Sequence, residues 1–133
     1  MQIQIQTTSQ TPIYSQIVFQ VREAVARGRL RVDERLPSVR ELSRDLVVNP
    51  NTIARAYREL ERAGVLNTRP GLGVFVAQIS NDRTKSSRKR RLLELLDEFL
   101  TESVLLGFNQ DEVLKAVNDR VKQFHWNREG ENE

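Results

Sequence analysis

Residues 36–76 read LPSVRELSRDLVVNPNTIARAYRELERAGVLNTRPGLGVFV, two short helix signals in tandem followed by a glycine-punctuated hairpin. The first helix opens at Ser38. Its hydroxyl can accept from the Glu41 amide while the Glu41 carboxylate reaches back to the cap amide, a reciprocal box that satisfies two orphan donors. Val39, Leu42 and Leu46 then share one face. After Val47 and Val48 the chain restarts with Asn49 as cap and Pro50 in the first turn, where a missing N–H is tolerated. The spacing predicts a tight turn into a second helix that turns Ile53, Ala56, Tyr57 and Leu60 toward a core. Gly64 supplies its left-handed stop.

The other face of that helix is polar and basic, with Asn51, Thr52, Arg55, Arg58 and Arg62 pointing outward. Short amide and hydroxyl side chains at a helix start, with arginines behind them, suit contacts to base edges and phosphates. The blander reading is a solvated face with Arg55 and Glu59 as an ion pair at four-residue spacing. The segment behind the helix shifts the balance. Residues 65–68 and 74–77 read as short strands around Arg69-Pro70-Gly71-Leu72-Gly73, a basic turn whose glycines permit tight bends and close backbone approach. A hairpin directly behind a helix-turn-helix reads as a wing.

These residues resemble the GntR regulators, and within them the short YtrA-like group. The resemblance is carried by Leu36-Pro37-Ser38-Val39-Arg40-Glu41-Leu42, by Asn49-Pro50-Asn51-Thr52, by Ala56-Tyr57-Arg58-Glu59-Leu60-Glu61, by Gly64, and by Arg69 through Val76; it spans roughly residues 10–77. It implies a winged helix-turn-helix that meets DNA through Arg40, Asn49 to Thr52, Arg55 and Gly71. Together with the residues read above, the candidate DNA-binding set is Ser38, Arg40, Asn49, Pro50, Asn51, Thr52, Arg55, Arg58, Arg69, Gly71 and Gly73. One departure lies before Arg35, where the family pattern carries Pro-Gly and this chain has Val32-Asp33; it bears on the shape of that turn.

With 133 residues, 38% hydrophobic and 29% charged, the chain suits one compact domain and a small appendage. It has no cysteine, which removes disulfide scaffolds and thiolate metal sites. His125 is the only histidine, so neither a metal site nor a catalytic dyad can be completed around it, and it reads as a packing residue. No catalytic residue, cofactor or metal is expected, and a fused aminotransferase-like domain, found in some GntR relatives, has no room here. No run approaches the roughly 20 apolar residues of a membrane span, and the first residues lack a leader pattern. The expected location is the cytoplasm, with no membrane partner. The formal charge of +3 conceals an asymmetry: residues 1–91 carry 17 Lys and Arg against 8 Asp and Glu, and residues 92–133 carry 4 against 10. Positive charge gathered on one module attracts a polyanion and makes its binding salt-dependent.

Around this centre, Gln2-Ile3-Gln4-Ile5-Gln6 alternates with period two, as either a short edge strand or an arm. Thr11-Pro12 starts a helix whose Ile13, Ile17, Val21, Ala24 and Val25 share a face up to Gly28. Tyr14 and Phe19 read as packing or surface residues, and residues 29–35 as a charged connector. Asn81-Asp82 and Ser86-Ser87 mark a linker into Arg88-Lys89-Arg90-Arg91, which is either a phosphate-contacting arm or the solvated start of a helix. Leu92, Leu95, Leu96, Phe99 and Leu106 then form an apolar stripe ended by Gly107. Asn109 with Glu112 caps another helix, with Val113, Val117, Val121 and Phe124 as its stripe.

Two such helices fall near the roughly 40-residue floor for independent folding. A second subunit is the simplest cover for their stripes, and folding back on the winged domain is the alternative. The expected fold is mainly α with a small β-hairpin wing. A winged domain occupies 1–79, a basic linker and helix start 80–91, a helical dimerisation region 92–126 and a disordered tail 127–133. The expected function is a sequence-specific DNA-binding transcriptional regulator, a homodimer on a double-stranded operator with inverted symmetry. The resemblance implies a repressor, often of a transporter operon that includes its own gene, and a two-helix C-terminal region in place of a large effector domain; any small-molecule effector is left open. The competing class is an architectural or protein-binding winged helix without operator specificity.

Overall fold

The computed structural model describes residues 1–79 and 84–126. Its elements run α1 (Ile13–Ala26), α2 (Val39–Leu46), α3 (Pro50–Arg62), β1 (Leu66–Arg69), β2 (Gly73–Val76), α4 (Lys85–Leu105) and α5 (Gln110–Val121). They belong to two compact units, one built on Met1–Ile79, which His125 joins, and one holding α4 and α5.

In the first unit α1, α2 and α3 enclose a core of Ile17, Val21, Leu30, Leu36, Leu42, Ile53, Ala56, Tyr57, Leu60, Leu66 and Val76. Full burial of such side chains contributes about 1.5–3 kcal/mol each. The expected faces are therefore present: Ile17 and Val21 on α1, Leu42 on α2, and all four expected residues of α3 are buried. Local chemistry sets the ends. The Ser38 and Glu41 box forms in both directions, Asn49 Oδ1 accepts from the Asn51 amide at 2.8 Å, and Gly64 holds φ at +78°.

The wing is one residue offset from the expected strands, with Leu66 opposite Val76 and Arg69 opposite Gly73. The Ala77 amide still donates to the Val65 carbonyl at 2.9 Å, so the pairing continues past the formal strand ends. Residues 33–35, from the expected connector, run with Leu36 antiparallel along the other edge of β2. The Asp33 amide donates to Val76, the Val76 amide to Glu34, and the Leu36 amide to Val74, at 2.8–2.9 Å. The wing is thereby anchored on both sides.

The N-terminal alternation is real, yet it makes neither a strand nor a free arm. Gln20 accepts from the Gln4 amide at 3.0 Å and donates to the Gln4 carbonyl at 2.7 Å, and Gln16 makes the same pair of bonds to Gln6 at 2.9 and 3.0 Å. Two glutamines one helical turn apart thus act as side-chain substitutes for a neighbouring strand, and Ile3 and Ile5 pack on the core. His125 packs within this unit as well. Its amide donates to the Ala26 carbonyl at 2.7 Å, and its ring lies beside Gly28.

In the second unit, α4 begins earlier than expected. Thr84 Oγ1 accepts from the Ser87 amide at 3.2 Å, so Ser86 and Ser87 stand in the first turn and do not mark a linker. Asn81, Asp82 and the tail at 127–133 lie outside the described residues. Gly107 stops α4 at φ +89°, and the Asn109 and Glu112 box opens α5. That helix ends at Val121, so Phe124 lies beyond it in a turn. The stripe residues Leu92, Leu95, Leu96, Phe99, Leu106, Val117 and Val121 are all exposed, by 38–70%; Val113 and Phe124 are half-buried.

Candidate nucleic-acid interface

Helix α3 carries the candidate site because its two faces are sharply divided. Ile53, Ala56, Tyr57 and Leu60 anchor one side, while Asn51, Arg55, Arg58 and Arg62, at i, i+4, i+7 and i+11, form an exposed row opposite. Thr52 is half-buried at the edge of that row. The amides at the start of the helix carry the positive end of its dipole, which favours anions. Asn49 and Pro50 are exposed there, but the Asn49 side-chain oxygen is engaged as the cap, leaving its amide nitrogen as the donor group.

The four-residue spacing of Arg55 and Glu59 does not produce an ion pair. Instead the Arg55 guanidinium lies 3.7 Å from the centroid of the Tyr14 ring on α1, a stacked arrangement that fixes the cation and leaves its N–H edges available. Sequence pattern could not signal this pairing, which depends on how α1 crosses α3. Arg40, Arg58 and Arg62 are exposed, and among the described residues none of them forms an ion pair.

Ser38 is half-buried and serves the cap of α2 on both its amide and its hydroxyl, at 3.2 and 3.0 Å from Glu41. The bond from the Ser38 amide is the main reason that the Glu41 carboxyl is held below its ordinary range, helped by the Ser38 hydroxyl and by Arg35 and Arg44. Tyr57 ties the two helices together by donating to the Pro37 carbonyl at 2.7 Å, and burial pushes its phenol well above the ordinary value. The turn between the helices is closed by Ser43, whose hydroxyl donates to the Val48 carbonyl at 2.6 Å.

The wing residues divide in role. Gly71 sits at the exposed tip with φ +73° and open space around it, whereas a Cβ on Gly73 would come 2.8 Å from Arg35 Nε. Gly73 serves the fold through its backbone, which holds φ at +126°, a conformation that other residues rarely adopt; the flexible Arg35 side chain crosses the hairpin above it. Arg69 is drawn inward: it pairs with Asp33 at 2.5 Å and stacks on Phe75 at 4.2 Å. Asp33 itself holds φ at +70°, so at the Val32-Asp33 departure an aspartate adopts the backbone that glycine would supply, as Asp does more readily than most residues. Its carboxylate then reaches the wing, a link that reading along the chain did not anticipate.

Comparison with known proteins agrees with this architecture. The profile described as bacterial regulatory proteins, gntR family, matches residues 13–76. The chain is 32% identical over 123 residues to the HTH-type transcriptional repressor YtrA of Bacillus subtilis, covering 90% of this chain and 95% of YtrA. Among solved structures, a protein of Listeria monocytogenes EGD-e titled a transcriptional antiterminator superposes with a TM-score of 0.76 at 36% identity, covering 91% of this chain and 90% of that one. The DNA-binding domain of AraR in complex with operator ORX1 superposes with a TM-score of 0.52 at 26% identity, over 58% of this chain and 96% of that one. With YtrA matched over nearly its whole length, the chain belongs to the gntR family of bacterial regulatory proteins and to its YtrA-like group, as a winged-helix DNA-binding regulator of transcription.

Proposed function

We propose that this chain represses an operon by reading a double-stranded operator of inverted symmetry as a homodimer. The observation that carries the reading is the row of Asn51, Arg55, Arg58 and Arg62 opposite the buried face of α3, cationic along its length and aligned as a helix in a major groove requires. Arg40 on α2 and the Gly71 tip flank that row as phosphate contacts, and Arg69 positions the wing through Asp33 and Phe75. The operator-bound AraR domain supports the mode of binding, and the name of YtrA supports repression. The resemblance to YtrA-like regulators makes a transporter operon that includes the chain's own gene the first DNA to test.

Dimerisation is proposed from the exposed stripes of α4 and α5, of which Leu96 and Phe99 stand 42% and 44% open. Covering them with a symmetric copy removes that apolar area from water. Two heads on a two-fold axis then meet major grooves one helical turn apart, about 34–36 Å. The test is fluorescence anisotropy at fixed salt on the DNA upstream of its own gene and on a scrambled duplex. The operator should win by roughly 10³ or more, and Arg40→Ala and Arg55→Ala should each weaken it, by about 1–3 kcal/mol where the arginine reads a base. Equal affinity for both duplexes leaves an architectural winged helix as the better account.

A further inference from the structure

Helix α4 carries its charge against its own dipole. Its first seven residues hold Lys85, Arg88, Lys89, Arg90 and Arg91 with no acid, and the rest holds Glu94, Asp97, Glu98 and Glu102 with no base. The positive end of the helix dipole is stabilised by anions and the negative end by cations, so both halves are placed unfavourably. The same chain obeys the rule elsewhere. α2 has Glu41 in its first turn and Arg44 in its last, and α5 has Asp111 and Glu112 first and Arg120 last. Among the described residues Arg91 has an acidic partner, Glu94 at 3.2 Å, whereas Lys85, Arg88, Lys89 and Arg90 form no ion pair, and all four are exposed.

The faces add a second constraint. Lys85 and Arg88 continue, at helical spacing, the row Leu92, Leu96, Phe99 and Ser103. A second subunit laid on the apolar part of that row cannot extend over the cations without burying charge, so the basic end stays open to solvent in the dimer as well. What would satisfy it is a polyanion. Only residues 80–84 separate it in the chain from the wing-bearing unit, which delivers one.

We infer that the first two turns of α4 form an additional DNA-backbone contact, in which Arg88, Lys89 and Arg90 meet phosphates irrespective of base sequence. The acidic remainder of the helix is repelled from the same strand, which orients the basic end onto it. This inference rests on the DNA-binding reading and extends it to a segment outside the winged helix.

The test compares the full chain with an Arg88→Gln/Lys89→Gln/Arg90→Gln variant on a random-sequence duplex across a fourfold range of salt. Each phosphate contact contributes a slope of about 0.9 in log affinity against log salt. With all three lost, the variant should lose roughly 40-fold less affinity than the wild type over that range, and with one lost, about threefold less. Thermal unfolding of the free variant should be no lower than that of the wild type, since charges opposing the helix dipole have been removed. An unchanged salt slope overturns the inference, as does a loss confined to operator DNA, which would point to a disturbed dimer. If the wild type itself binds without salt dependence, the DNA-binding reading fails first and is recognised as the one that failed.

Discussion

Val47 should be replaceable by glycine with a gain in stability, although nothing about its side chain is wrong for a surface. It caps α2 with φ 54° and ψ 52°, a left-handed conformation that is a genuine outlier for a β-branched residue. The side chain is 90% exposed, so truncation removes almost no packing. Relief of the left-handed strain is worth about 1–2 kcal/mol, and the added freedom of glycine in the unfolded chain takes back about 0.5–1 kcal/mol. The net gain then lies between about 0 and 1.5 kcal/mol, with a centre of about 0.75 kcal/mol, or roughly 3–6 °C in the melting temperature of a unit of this size. Val32→Gly is the control. Val32 is also exposed, by 48%, but it is not among the residues with positive φ, so glycine there should lower the melting temperature. Circular dichroism melts of the full chain and the two variants give the answer. A Val47→Gly protein that melts below the wild type by as much as the Val32→Gly protein would mean that the turn stores no strain, and the reasoning fails.

Two other outcomes follow from the wing and from the cap of α2. At Gly71 the backbone angle is +73° but the space is open, so Gly71→Asn should fold normally, asparagine tolerating that region, while Gly71→Val should lose about 1–2 kcal/mol; if the Asn variant binds DNA as tightly as the wild type in anisotropy titrations, the glycine serves the turn and not a backbone contact. The Glu41 carboxyl is held below its ordinary value of 4.5, chiefly by the Ser38 amide, so its contribution is complete above that value and fades as pH falls through the lower folded value. The gap in melting temperature between the wild type and Glu41→Gln should therefore close in acid, and a gap that widens there would reverse the assigned sign.

What could be read along the chain was whatever is settled within a few residues. The Ser38 and Glu41 box, the Asn109 and Glu112 box and the Asn49-Pro50 start each close over three residues or fewer, and the buried stripe of α3 repeats at helical spacing. Where local signals compete, the structure departs from the local pattern. Ser86 and Ser87 are poor helix formers that favour turns and caps, yet Thr84 takes the cap and draws them into α4. The left-handed Val47 gave no signal because valine is among the residues least suited to it. Contacts that join distant segments were invisible for a different reason. Asp33 and Arg69 are 36 residues apart, Pro37 and Tyr57 20, and Gln4 and Gln20 16; their meeting depends on register and crossing angle, which no local pattern encodes.

Those long-range contacts share a consequence for how affinity can be adjusted. Tyr57 fastens α3 to the start of α2, Ser43 closes the turn between them, the Arg55 stack ties α3 to α1, and the Asp33 pair holds the wing against the segment that enters α2. Each fixes an element that bears candidate DNA-binding residues to a neighbouring element or turn, and the core beneath them is close-packed, so the head resists deformation as a whole. A signal that changed the shape of the interface within one head would have to break several of these contacts together. In a two-headed regulator the cheaper variable is the distance between heads, because joining two heads raises apparent affinity by roughly 10² to 10⁴ only while both can engage. For the homodimer proposed above, an effector is expected to act on α4 and α5, where apolar side chains remain open, and to leave the affinity of a single head for a half-site unchanged, which anisotropy on a half-site duplex with and without the effector would check.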